Sequence, residues 1–326
     1  MMTYYHLFIY LFLERKHALD PQELPEQSEV TRLSLYRDLA DMNEKSFAHL
    51  VQHVESGKTY VKKELRNYDR GVFEYIKMRS IPGIPRIIDI IENFGENGRP
   101  DVLVVIEEYI TGSTLREILD AYGPLKPDIA LDYMLQLCHI LQPLHDRKRP
   151  IVHCRISPEN VMITQSGQLY LLGFDHAREI DPENPDTPTV PPTASALSGS
   201  YIASGQYEYL PAEPQTDILE CGSLLREMIT GVSPASPSPR APLMERPEVA
   251  VLEPVISKCT ETRPTARYEN ASELLTELES ITPQIVHLIS ARDPEARKIR
   301  LRKILTVILF IGAVLVLVYF IGNHFI

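Results

Sequence analysis

The spacing of apolar residues changes character once along the chain. Between residues 35 and 110 they come in short runs or at alternate positions, the period of strands. Phe47-Ala48-His49-Leu50-Val51 and Thr59-Tyr60-Val61-Lys62-Lys63 predict two strands, joined by Glu55-Ser56-Gly57-Lys58, a turn in which Gly57 accepts positive φ. Ile84 to Phe94 and Asp101 to Tyr109 predict two more, split by Gly95-Glu96-Asn97-Gly98. One helix interrupts them, Asn67 to Ile81, with Phe73, Ile76, Lys77 and Ser80 on successive turns and Pro82-Gly83 closing it.

After residue 110 the period becomes helical. Thr111-Gly112-Ser113-Thr114 caps a short helix, Leu115 to Ala121. Pro127 to His145 places Leu131, Met134, Leu135, Cys138, Leu141 and Leu144 on one face. Two short strands, Asn160 to Ile163 and Leu169 to Leu172, surround Ser166-Gly167. Helices follow at Asp217 to Gly231, Glu248 to Lys258 and Ala271 to Thr282. Residues 181–200 and 234–247 are Pro-rich and have little capacity to form a core. No internal repeat is evident. Strands followed by helices predict an α+β domain.

Both ends add a further feature. Ile304 to Ile321 is 18 residues without a charge, enough to cross a hydrocarbon core of roughly 30 Å. Arg297, Lys298, Arg300, Arg302 and Lys303 precede it, so the positive-inside rule predicts a single-pass anchor with everything upstream in the cytoplasm. The apolar patch Leu7 to Leu13 is too short to span and lacks a cleavage site, which predicts a packing or interfacial segment. Residues 1–34 read as an extension, 283–303 as a basic linker and 322–326 as a short external tail.

The chain has 326 residues, 44% hydrophobic and 24% charged, which excludes global disorder. Its net charge of −11 argues against a nucleic-acid partner. Cys138, Cys154, Cys221 and Cys259 are widely spaced with no C-x-x-C, so neither a zinc site nor a disulfide framework is indicated.

Candidate chemistry centres on His153-Cys154-Arg155-Ile156-Ser157-Pro158-Glu159-Asn160, and on Leu172-Gly173-Phe174-Asp175, which begins twelve residues after Asn160. The two stretches resemble the catalytic loop, H-R-D-x-K-x-x-N, and the D-F-G turn of eukaryotic-type serine/threonine protein kinases. The spacing is kept and the reacting residues are changed. In that pattern an Asp accepts the substrate hydroxyl proton and must be a carboxylate. Arg155, a permanent cation, stands there. Cys154 replaces the preceding Arg and Ser157 the loop Lys. The resemblance leaves His153 as a structural residue and Asn160 as a metal ligand. Gly173 stands at the position of the main metal-binding Asp, and Asp175 lies two residues late.

Other positions extend the resemblance over roughly residues 38–280. Lys63 fits the strand lysine that pairs phosphates, with Lys62 as the one-residue alternative, and Glu74 fits its helix partner, with Met78 and Ile81 as that helix's packing residues. Glu107-Glu108-Tyr109, followed by Gly112, resembles the hinge between lobes. Asn43-Glu44-Lys45-Ser46-Phe47-Ala48 falls where a glycine-rich phosphate loop belongs, but holds no glycine. Tyr201-Ile202-Ala203-Ser204-Gly205-Gln206 resembles Y-x-A-P-E-Q without its Glu, so Arg267 is expected to lose that partner. Asp217 and Gly222 match D-x-x-x-x-G, whose Asp supports the catalytic-loop backbone.

The resemblance implies a bilobal fold over 35–282, with a β-rich N-lobe to about 110 and a helical C-lobe from 111. With phosphate cradle, base and first metal ligand all changed, it implies a membrane-anchored pseudokinase. Such a protein would act as a scaffold or allosteric partner of an active kinase or another signalling protein. Two further readings stay open. One is an active atypical serine/threonine kinase; the other is a nucleotide-binding switch without turnover. Both would use ATP and magnesium, with Lys63, Glu74, Glu107 and Tyr109 at ATP-site positions and Asn160 and Asp175 at the metal. Asp175 would reach a metal only if the turn refolded.

Overall fold

The computed structural model describes residues 32–42, 48–94, 100–183, 189–190, 210–233 and 247–292. The patch at 7–13, residues 43–47 of the expected phosphate loop, the stretch 201–206 and the apolar stretch 304–321 lie outside the described residues. Among the described residues no helix is long and apolar enough to cross a membrane. The chain divides into two units, one taking residues up to Ser80 and Pro85–Tyr109, the other Ile81–Ile84 and everything from Ile110.

The first unit is an antiparallel sheet of five strands with one helix. Its elements are β1 (Tyr36–Asp41), β2 (Ala48–His53), β3 (Thr59–Leu65), α1 (Arg70–Arg79), β4 (Ile87–Phe94) and β5 (Pro100–Glu108), with spatial order β1-β2-β3-β5-β4. Gly57, at φ 67°, closes the β2–β3 hairpin. Leu103 to Ile106 of β5 are buried on both faces, so that strand reads as a continuous apolar run rather than an alternation. One face gathers Ile91, Val104 and Ile106 with Tyr36 and Tyr60. Helix α1 packs against β4 and buries Val72, Phe73 and Ile76. It is shorter than the predicted 67–81. Asp69 caps its start by accepting from the Gly71 N–H, and Ser80, at φ 46°, turns left-handed and ends it.

In the second unit β6 (Ser113–Thr114) leads into α2 (Leu115–Tyr122), where Thr114 and Glu117 form a capping box. The long α3 (Pro127–His145) starts with Pro at its first position. It buries Leu137 and Ile140 besides most of the predicted stripe, because helices flank it on more than one side. Short strands follow: β7 (Ile151–Val152), β8 (Val161–Ile163), β9 (Leu169–Leu171), β10 (Arg178–Glu179), β11 (Thr189–Val190) and β12 (Leu210–Pro211). Then come α4 (Pro214–Thr230), α5 (Pro247–Ala250), α6 (Glu253–Cys259) and α7 (Ala271–Arg292). The single helix expected over 248–258 is two, since Pro254 withholds an N–H and starts the second one. Conversely α7 runs past Pro283 to Arg292, with Ile285 fully buried beyond the proline.

Gly222 explains why α4 and α6 lie so close. A Cβ there would run into the Cβ of Cys259, which belongs to the backbone-proximal part of α6 and has no rotamer to yield. Gly222→Ala is therefore expected to destabilise the second unit by about 1–3 kcal/mol, the usual cost of overpacking. A denaturant titration of the variant would read this as a lower midpoint at unchanged slope.

Candidate active site

Pairing of β7 with β10 sets Arg178 opposite Val152 and Glu179 opposite Ile151. The turn at 172–177 is thereby carried beside the loop at 153–160. β8 and β9 pair with Val161 opposite Leu171, and the Leu172 N–H reaches the Asn160 carbonyl at 2.8 Å. Two stretches separated in sequence thus become one constellation.

Helix α4 holds the loop from below. Asp217 is fully buried. Its Oδ2 accepts from the His153 N–H at 2.8 Å and its Oδ1 from the Cys154 N–H at 2.8 Å. His145 adds a third donor: its Nδ1 accepts from the Ala271 N–H, so its proton sits on Nε2 and points at Asp217 Oδ2, 3.0 Å away. Glu220, also fully buried, accepts the Ile156 N–H at 2.6 Å. Asp217 and Glu220 stand three residues apart and so share one face of α4. Hydrogen bonds to ionised groups contribute about 1.5–3 kcal/mol each, which offsets the cost of Cys154 at φ 63°. The sequence motifs give Glu220 no role, although an acid one turn after Asp217, within the apolar run Ile218 to Leu225, is a usable signal.

The loop side chains then divide by role. His153 donates from Nε2 to the Leu172 carbonyl at 2.8 Å and accepts the Arg155 N–H at Nδ1. Its ring meets Phe174 edge-on at 4.7 Å. Burial pushes its pKa down, so it is a neutral structural imidazole. Burial pushes the Cys154 thiol up, with Asp217 and Glu220 adding to the effect, so it carries no nucleophilic thiolate. Arg155 is exposed, and its Nη1 donates to His176 Nε2 at 2.7 Å. The Asn160 amide donates from Nδ2 to the Arg155 carbonyl at 2.9 Å. Glu159 is held by Arg116 at 2.9 Å.

Gly173 sits at φ 80°, and a Cβ on it would lie 2.6 Å from Asn160 Oδ1 and 2.7 Å from its Cγ. The Asn160 side chain therefore fills the space a longer residue at 173 would need. Asp175 keeps one buried oxygen, Oδ1, without a hydrogen-bond partner. Among the described residues no group of three metal-ligating side chains converges. Magnesium asks for near-octahedral oxygen ligands at about 2.0–2.1 Å. Asn160 spends its amide nitrogen on the backbone and keeps Oδ1, but Gly173 supplies no carboxylate and Asp175 lies two residues late, so one amide oxygen and one displaced carboxylate fall short of that ligand set.

In the first unit the expected Lys63–Glu74 pair is replaced. Lys63 lies opposite Val105 and one step diagonal from Glu107 on the same face. Its Nζ is 2.7 Å from Glu107 Oε1, and the two side chains are only 15% and 13% exposed. Glu74 instead pairs with Arg70, one helical turn before it, at 2.7 Å and 54% exposed. Val72, Phe73 and Ile76 form the buried face of this helix, while Glu74 and Met78, one turn apart, share the outer face, so Met78, expected to pack, is 73% exposed. Alternation along β3 places Lys62 on the opposite face, where it meets Asp38 at 2.8 Å. Tyr109 is 41% exposed. In the second unit, Arg267 is well partnered. Its guanidinium donates to the Glu261, Gln215 and Thr262 carbonyls.

Both His153 and His176 are held below the ordinary histidine value of 6.5 chiefly by burial, with Arg155 adding to the shift of His176. The unfolded chain takes up these protons first as pH falls through 6.5, so stability is present above that value and is lost below it. Melting temperature is expected to fall between pH 7 and 5.5. The slope should be shallower in His176→Asn, a change at a half-buried position.

Comparison with known proteins bears on this geometry. The profile described as "Protein kinase domain" matches residues 45–298. A probable serine/threonine-protein kinase of Clostridium acetobutylicum is 26% identical over 243 residues, covering 70% of this chain and 36% of the relative. Serine/threonine-protein kinase PknB of Mycobacterium leprae is 26% identical, covering 67% of this chain and 35% of the relative. PrkC of Bacillus subtilis is 28% identical, covering 60% and 31%. The chain spans about a third of the length of these relatives.

Proposed function

This chain belongs to the protein kinase family, and we propose that within it the protein is a member impaired in phosphotransfer, a pseudokinase that works by binding. The observation that carries this reading is the pairing of Arg155 with Gly173. A cation stands at the position of the base, and the position of the metal-binding carboxylate is a glycine whose side-chain space is taken by Asn160. Phosphoryl transfer by this frame needs an acceptor for the hydroxyl proton and a carboxylate to hold the metal, and Arg155 and Gly173 supply neither. The Lys63–Glu107 pair works in the same direction, because the lysine faces a strand carboxylate while Glu74, the expected helix partner, is taken by Arg70.

The intact frame supports a role as a binding partner. Asp217 and Glu220 still brace the loop. The partner is a protein such as an active kinase or another signalling component. The stretch 304–321, preceded by five basic residues, anchors the chain to a membrane with the domain in the cytoplasm.

Purified full-length protein in detergent, given labelled ATP, magnesium and general protein substrates, is expected to transfer no phosphate above background. Melting temperature should not shift with ATP, with or without magnesium. Transfer that Asn160→Ala abolishes would overturn the proposal. Gly173→Asp is expected to lower the melting temperature without creating activity, since the new side chain meets both a left-handed backbone and Asn160.

A further inference from the structure

Arg155 is a cation held in a fixed place on the exposed side of the loop. Its backbone is fixed from three directions. Asp217 holds the two preceding N–H groups, Glu220 holds the following one, and Asn160 holds its carbonyl. Its side chain is exposed, yet oriented by the bond from Nη1 to His176 Nε2. No carboxylate lies within ion-pair distance of Arg155 among the described residues, although the protein as a whole carries a charge of −11.

The His176 bond defines what the pair can bind. A guanidinium only donates, so Nε2 must be the accepting nitrogen and the ring proton sits on Nδ1. That N–H has no acceptor among the described residues. Arg155 keeps Nε, Nη2 and the second proton of Nη1 for an external group. The pair therefore offers several donors and no acceptor of its own; at His176 the positive potential of Arg155 comes first, Asp175 opposes it, and Arg178 adds to it. A carboxylate has two oxygens and is satisfied by one guanidinium edge. A phosphate monoester has three oxygens and a charge of about −1.5 to −2 at neutral pH. It can use the fork and the imidazole together.

We propose that Arg155 and His176 form a receptor for the phosphate monoester of a phosphorylated serine or threonine on a partner protein. The inference deepens the reading above and rests on it. In a phosphotransferase this loop position meets the acceptor hydroxyl before transfer. With a cation there, the already phosphorylated side chain becomes the favourable occupant, so the frame serves to read phosphate rather than to add it.

The test uses full-length protein in detergent and fluorescence anisotropy. The probes are a peptide mixture with a fixed central phosphothreonine and degenerate flanks, the same mixture with threonine, the same with glutamate, and inorganic phosphate as competitor. The phosphorylated mixture is expected to bind at least tenfold tighter than the threonine mixture. Arg155→Ala should abolish that difference while melting at the same temperature as wild type. Arg155→Lys, which keeps the charge and loses the fork, should recover only part of it. His176→Gln should weaken binding several-fold. Equal binding of phosphorylated and unphosphorylated mixtures would overturn the proposal, as would undiminished binding by Arg155→Ala. Equal binding of the glutamate mixture would overturn the assignment to phosphate. Competition by inorganic phosphate at the peptide's own affinity would overturn recognition of a peptide. The phosphotransfer assay separates this failure from that of the proposed function. An inert protein blind to phosphopeptide loses only this inference, and a protein that transfers phosphate loses the earlier reading and this one with it.

Discussion

A buried carboxylate is costly unless it is hydrogen-bonded, and Asp217 accepts from two backbone N–H groups and one imidazole. Much of the second unit depends on this arrangement. The imidazole is His145, the last residue of α3, which is itself fixed by the start of α7 through the Ala271 N–H. The two N–H groups belong to the loop that carries Arg155. One side chain of α4 thus ties together two helices and the loop, and removing it would leave three donors buried without an acceptor. Glu220 extends the same clamp one turn further.

This clamp does not depend on the identity of the residue at 155. Asp217 and Glu220 grip backbone, and Asn160 grips the Arg155 carbonyl. The side chain is free to change chemistry while its presentation is preserved. That separation lets the residue type at 155 vary while the loop keeps its shape. The metal position behaves differently. There the glycine and Asn160 are packed against each other, so the change at 173 is coupled to a neighbour. The first unit shows the same economy. Lys63 keeps a buried carboxylate partner, but takes it from β5 rather than from α1.

Four of the five strands of the first unit and most helix faces were legible in the chain because they follow periodicity; β1 and the spatial order of the sheet were not. Thr59 to Leu65, the Pro127 start of α3 and the capping box at Thr114 are all local signals, and each appears where local chemistry puts it. The helix at 70–79 shows the limit. Its apolar pattern continues toward Ile81, but a serine adopting φ 46° ends it, and no sequence period reports that choice. The motifs placed Asp217, His153 and Asn160 by spacing. They did not reveal Glu220, or the diagonal that brings Glu107 to Lys63.

By itself the sequence determined the family frame and the residue types at its motif positions: Arg155, Gly173 and no glycine at 43–48. These are statements of residue type at a given offset, and offset is what a linear chain records. Tertiary structure decided the partners. Lys63 finds Glu107 because two strands pair in one register, Arg155 finds His176 because β7 pairs with β10, and Asn160 fills the space beside Gly173 because β8 and β9 fold back on each other. Each of these contacts joins residues from different elements. Their distance is set by strand pairing and packing, which no local stretch of sequence encodes.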